Sequence, residues 1–172
     1  MRRRLLLALP LLALALPAFG PAGSPAPRIS IASVEQLRRP LPSPYDARAD
    51  AHAQVDAALA RARRSHKPVL IDFGANWCAD CRILAGVLEL PEMKAWVAAN
   101  FELVQVDIGQ FDRNLDIPER FNRGVRLGAV PAVFVIDPRT RRLRNADSVL
   151  ALGDARVMRP QAIADWLAQW TR

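Results

Sequence analysis

An apolar run from Val69 to Ala75 leads into Trp77-Cys-Ala-Asp-Cys81, and the pattern then switches to helical spacing, with Cys81, Leu84, Val87 and Leu88 on one face. Few architectures suit a short buried strand that ends where a helix begins, with two thiols three positions apart at the join. These are the only 2 cysteines in 172 residues, which excludes a disulfide-dense scaffold and a four-thiolate zinc or iron–sulfur site. Thiols so spaced can close a disulfide, and the helix dipole with its free N–H groups favours a thiolate at the first of them. Geometry predicts Cys78 as the exposed attacking sulfur and Cys81, one turn in, as the buried resolving one. Two readings compete with redox chemistry. A static disulfide over so short a loop gains only about 2 kcal/mol from loop closure. A metal site needs further ligands, and neither His52 nor His66 has ligand spacing to the thiols.

The rest of the chain supplies elements around that junction. Ala47, Ala51, Val55, Leu59 and Ala62 give one apolar face of a helix over 46–65, ending in Arg61, Arg63 and Arg64 and stopped by Pro68. The helix from Cys78 ends near Leu90, and Pro91 opens another through Ala99. Phe101–Ile108 reads as a second strand, 115–122 as a short helix, Ala132–Ile136 as a third strand, and 141–149 as its hairpin partner. The last helix, 160–171, puts Ile163, Trp166, Leu167 and Trp170 on one face. Strands joined through crossover helices pair in parallel with right-handed connections, so the expectation is an α/β fold whose mixed sheet has helices on both faces.

Residues 1–44 are expected to lie outside that fold. Arg2–Arg4 followed by apolar Leu5–Phe19 reads as a secretory signal peptide over 1–22, being short and proline-broken for a membrane span. An uncleaved anchor is the competing reading. Residues 23–44 read as a proline-rich linker, with a short edge strand possible at 29–37, before the domain at 45–172. The leader also explains part of the charge. Without Arg2–Arg4 the excess of 24 Lys+Arg over 17 Asp+Glu falls from +7 to +4, which calls for no nucleic acid. Arg139, Arg141, Arg142 and Arg144 fall at the expected hairpin tip without interleaved aromatics, and read as a solubilising turn.

Two segments carry a family likeness. Residues 67–81, Lys-Pro-Val-Leu-Ile-Asp-Phe-Gly-Ala-Asn-Trp-Cys-Ala-Asp-Cys, resemble the active-site strand and loop of the thioredoxin superfamily. Residues 128–136, Gly-Ala-Val-Pro-Ala-Val-Phe-Val-Ile, resemble its cis-proline loop and following strand. The likeness covers roughly 46–171. It is greatest to exported thioredoxin-like proteins and to the C-terminal periplasmic domain of membrane thiol:disulfide interchange reductases, through Leu90-Pro91-Glu92 and Asn100-Phe101. It implies a thioredoxin fold with a central mixed sheet of about four to five strands.

The resemblance also implies roles. Cys78 would attack a substrate disulfide and Cys81 would resolve the mixed disulfide. Asp72 would be the buried acid that accepts the Cys81 proton, its pKa raised by burial. Trp77 would shield the sulfurs and flank a substrate groove. Pro131 would be cis, with Val130 aligned to pair with an extended substrate. Between the cysteines the chain departs from the familiar Gly-Pro and has Ala79-Asp80. A carboxylate there is expected to disfavour the thiolates and point toward a reductant. The segment 109–116 is longer than the usual link, and Phe111, Asp112 and Arg113 could contact a partner. Asp112, Asn114 and Asp116 only weakly mimic a calcium loop, since Ile117 stands where glycine is required. The expected function is an exported thiol-disulfide oxidoreductase acting on protein thiols, with no cofactor or metal and with electrons from a membrane thiol reductase. A nonenzymatic peptide-holding module and a dedicated cytochrome-assembly reductant are the alternatives.

Overall fold

The computed structural model describes residues 23–124 and 126–171. The leader assigned to 1–22 therefore lies outside the described residues. Among those described, no helix is long and apolar enough to cross a membrane.

Helix α1 spans Ala51–Ser65, β1 Val69–Gly74, α2 Ala79–Leu88, α3 Pro91–Asn100, β2 Glu102–Asp107, β3 Ala132–Ile136 and α4 Pro160–Ala168. Helix α1 starts five residues later than its apolar spacing suggests. Asp46 turns its carboxylate onto the Arg48 N–H at 2.9 Å, and Asp50 then caps the helix by accepting from Ala53 N at 3.0 Å. Its far end is closed by His66 in a left-handed conformation, φ 60°. The expected helix over 115–122 reduces to one 3-10 turn, Pro118–Arg120, because Pro118 removes the donor a regular helix would need there.

The sheet has the order β2-β1-β3, with β1 parallel to β2 and antiparallel to β3. Every residue of β1 is buried, as a central strand with helices on both faces requires. Val69, Ile71 and Phe73 face α1, in a core with Val104, Val106 and Phe134. Leu70 faces α2, α3 and α4, with Leu84, Met93 and Ile163. Phe73 and Phe134 meet edge to face, with centroids 5.1 Å apart.

Two expectations need correcting. Among the described residues the sheet has three strands rather than four or five, because residues 141–149 do not form a hairpin strand. One bridge pairs Ile136 with Leu143, and backbone bonds run from Arg144 N to Val135 O and from Val133 N to Val149 O, both at 2.8 Å, but between them a buried side chain stands in for strand backbone. Asn145 accepts from Val135 N at 2.9 Å and donates to Val133 O at 2.8 Å. Its amide offers the edge of β3 a donor and an acceptor, as a strand backbone would.

The second correction concerns the segment read as a linker over 23–44, where residues 24–44 pack on the domain and form no edge strand. Its prolines lack donors, but its carbonyls still accept. Trp96 Nε1 donates to Pro25 O at 2.8 Å, Gln161 Nε2 to Pro27 O at 3.1 Å, and the Arg82 guanidinium to Leu41 O and Pro42 O at 2.7 and 2.9 Å. Val34 and Leu37 are buried against the α2 side of the core. Leu37 lies over Gly86, where a Cβ would come within 3.2 Å of its side chain.

Candidate active site

The active-site loop begins where β1 runs out of sheet. Residues 75–77 turn the chain, Cys78 N donates to Ala75 O at 3.1 Å, and Cys78 becomes the N-cap of α2. Its sulfur accepts from Cys81 N at 3.1 Å, so one of the free N–H groups in the first turn of the helix points at sulfur. Cys78 and Cys81 form a disulfide, with Cα atoms 5.3 Å apart. Cys81 is fully enclosed. Cys78 is the more accessible of the two, but at 6% exposure it is buried rather than open.

Opposite the disulfide, Val130 O lies 3.6 Å from Cys78 Sγ. The Val130–Pro131 peptide is cis. Val130 packs on a small cluster made of Cys78, Cys81 and Tyr45. The strand–helix junction and the loop before β3 are thus brought together on the sulfurs.

Trp77 stands 51% exposed beside them. Its indole N–H donates to Gly109 O at 2.7 Å, and its ring lies 6.2 Å from that of Phe111. The 109–116 segment is therefore docked onto the active-site loop. Gly109, Phe111 and Asn114 all have positive φ, which folds the segment tightly enough for Asn114 Nδ2 to reach Asp107 O at 2.7 Å. Arg113 spans outward to donate to Ala47 O at 3.0 Å. A cleft of about 310 Å³ remains between Tyr45, Trp77, Asp107 and this loop. The carboxylates that mimic a calcium loop are turned apart: Asp112 accepts from Gln110 N, whereas Asp116 faces His52 at 3.2 Å. Among the described residues no three His, Cys, Asp or Glu side chains are grouped as metal donors.

Asp72 lies beneath the loop at 1% exposure. Alternation along β1 turns it to the α2 side, where Leu70, Leu84, Leu88, Val133 and Leu167 surround it. Burial raises its pKa to about 6, against the opposing pull of hydrogen bonds from Tyr45 and Gln105. Both donate to Oδ2, Tyr45 Oη at 2.8 Å and Gln105 Nε2 at 3.2 Å. Oδ1 is buried without a partner among the described residues.

Ala79 is the first residue of α2. Asp80 follows, and its carboxylate is partnered by a distant residue. It accepts from Arg156 N at 2.9 Å and pairs with the Arg156 guanidinium at 3.2 Å. Of the arginines expected at one hairpin tip, Arg144 is structural, paired with Asp137 at 2.6 Å. Arg141 instead joins Arg63, Arg64 and Arg120 around a basic cleft on the α1 side.

Sequence reasoning overlooked Tyr45, Gln105, Asn76 and Arg156. One signal was available for Gln105, since parallel pairing of β1 with β2 sets it opposite Asp72 in register. Tyr45 and Arg156 reach the site from distant segments, and no local pattern announces them.

A family model described as Thioredoxin-like matches residues 50–138. The chain is 46% identical over 88 residues to the thiol:disulfide interchange protein DsbD 1 of Pseudomonas aeruginosa, covering 50% of this chain and 14% of that protein. It is 32% identical over 72 residues to thioredoxin of Rickettsia bellii, covering 42% of this chain and 60% of that protein. The chain therefore spans less than two thirds of either relative. A solved structure described as a disulphide isomerase from Xylella fastidiosa Temecula1 superposes with a TM-score of 0.70 at 41% identity, over 77% of this chain and 99% of that one.

Proposed function

The chain belongs to the thioredoxin-like family, and we propose that it exchanges disulfides with protein substrates through Cys78 and Cys81, in the reducing or relay direction. The observation that carries this reading is the disulfide at the start of α2, with the more accessible sulfur as N-cap and its partner one turn inside. A static cross-link would need neither the helix N-terminus nor the asymmetry of exposure.

In the reduced protein the Cys78 thiolate, favoured by the helix N–H groups, attacks one sulfur of a substrate disulfide. A mixed disulfide forms and one substrate thiolate leaves. Cys81 then attacks Cys78 Sγ, giving up its proton to Asp72, and the second substrate thiolate leaves. The substrate gains two electrons, and the protein returns to the oxidised state described above. A carboxyl with pKa about 6 is a competent base for that proton near neutral pH. Trp77 and the Val130–Pro131 loop flank Cys78 on two sides and are assigned to substrate binding, with Val130 aligned to pair with an extended chain.

The leader read at 1–22 and the relationship to an interchange protein support export to the periplasm, with re-reduction by a membrane thiol protein. Cys81→Ser tests the reading. With resolution blocked, substrates should accumulate as Cys78-linked adducts that a thiol reductant releases. Absence of such adducts in the exporting compartment would sink it.

A further inference from the structure

Tyr45, the single tyrosine of the chain, precedes α1 and yet is among the most deeply enclosed side chains, packed against both sulfurs and Val130. Its position is fixed from three sides. Asn76, in the active-site loop, accepts from Tyr45 N at 3.2 Å and donates to Tyr45 O at 2.8 Å. Gly74 leaves room for the ring: a Cβ there would lie 2.8 Å from Tyr45 Cε1 and closer still to Cζ and the hydroxyl oxygen. The hydroxyl itself donates to Asp72 Oδ2 at 2.8 Å. The chain thus clears a strand position and spends a loop side chain to hold one hydroxyl on one buried carboxylate.

We propose that Tyr45 is a positioning residue of the exchange reaction: by occupying Oδ2 it stabilises ionised Asp72 and leaves Oδ1 as the acceptor for the Cys81 proton. This rests on the exchange reading above and deepens it. Ionisation of an unpartnered carboxyl in such apolar surroundings would be disfavoured, and a hydrogen bond to the charged form opposes that penalty. The groups facing Asp72 give little alternative support. Leu84 and Leu88 come from α2, Val133 from β3, Leu167 from α4 and Leu152 from the segment before it. From β2 comes the neutral Gln105, at a longer 3.2 Å. Among the described residues Tyr45 is the titratable group hydrogen-bonded to Asp72, and it stays protonated: desolvation first, then the adjacent Asp72 charge and, more weakly, the charge of Asp107 at the end of β2 push its pKa well up. It therefore serves as a fixed donor and does not relay the proton. The Asp80 charge is engaged by Arg156.

The test uses Tyr45→Phe, which keeps the ring and removes the donor. Reduced protein is mixed with an aromatic disulfide of the thionitrobenzoate type, and release of the second thionitrobenzoate reports resolution by Cys81. The acid limb of that step should move upward by roughly half a pH unit to one pH unit, with the rate recovering at higher pH. Asp72→Asn should abolish the limb, and adding Tyr45→Phe to Asp72→Asn should change nothing further. Carbon NMR titration of Asp72 in the oxidised protein reads the same upward shift without turnover. An unshifted Asp72 titration in Tyr45→Phe, or an equal effect of Tyr45→Phe in the Asp72→Asn background, overturns the proposal. If wild-type protein releases no second thionitrobenzoate at any pH, the exchange reading fails instead, while the NMR titration still judges Tyr45.

Discussion

Asp80 and Arg156 meet across 76 positions of sequence, the carboxylate accepting from the Arg156 backbone at 2.9 Å and from its guanidinium at 3.2 Å. One end of this pair is the second residue of α2, between the two cysteines. The other belongs to a 3-10 turn, Ala155–Val157, packed on that helix. The charge that sequence reasoning set against the thiolates is thus partly offset by a cation, itself half open to solvent and screened.

Two variants separate these charges. Arg156→Ala removes the guanidinium while keeping the backbone donor, and should raise the Cys78 thiol pKa. Asp80→Asn removes the charge and should lower it. Each change should stay within about one pH unit, as befits a screened pair. Alkylation rates of the reduced protein across pH read both, and an unchanged or higher value in Asp80→Asn refutes a role for this charge.

The central elements were legible because each rests on a local cause. Pro68 and Pro91 bound their elements, β1 is an apolar run interrupted by Asp72 alone, and the cysteines sit at the strand–helix join. What escaped was whatever a distant partner completes. Residues 141–149 contain strand-forming residues, yet the edge of β3 is closed by the amide of Asn145, a pairing that exists only once the chain has folded. Residues 23–44 looked like a linker because proline removes donors. Their carbonyls remained, and Trp96, Gln161 and Arg82 supply the donors. At the site, Asp72 was readable through the family resemblance of residues 67–81, whereas its hydrogen-bonding partner Tyr45 arrives from 27 positions away.

Asn145→Ala should expose how much that side-chain pairing contributes. It would leave Val135 N and Val133 O without their partners in a buried setting, at a cost of about 1–3 kcal/mol for an orphaned group. Urea unfolding should show a lower midpoint with an unchanged slope, and the reduction potential of the dithiol should hold. An unaltered midpoint would show that water or a shifted backbone replaces the amide.

Gly74→Ala places a methyl group into the Tyr45 ring. Overpacking of this kind costs about 1–3 kcal/mol. Since the clash involves ring carbons as well as the hydroxyl, the penalty should persist when combined with Tyr45→Phe and largely vanish with Tyr45→Ala. The two substitutions touch the same space, so their energies should be strongly non-additive. Additive unfolding energies for Gly74→Ala and Tyr45→Ala would contradict the contact.

Two buried or half-buried acids should tilt stability in opposite directions with pH. Asp72 has a folded pKa of about 6 against a model-compound value of 3.8, so the folded state binds more protons than the unfolded chain between those values. Stability attributable to Asp72 is therefore greatest below about pH 4 and falls as pH rises toward 6, by about 3 kcal/mol in all. Asp137 behaves inversely. Its carboxylate accepts first from the Thr140 backbone and also from Arg139 N and the Arg144 guanidinium, which hold its pKa well below the usual range. Its contribution is present above about pH 4 and is lost as pH falls further. Urea unfolding of the oxidised protein from acid to neutral pH checks both signs. The stability of wild type relative to Asp72→Asn should decline as pH rises through 4 to 6, because the neutral amide avoids the cost of burying a charge. The stability of wild type relative to Asp137→Asn should instead decline as pH falls below about 4. A difference between wild type and Asp72→Asn that stays flat across this range would mean that Asp72 is solvated in solution and is not the base assigned here.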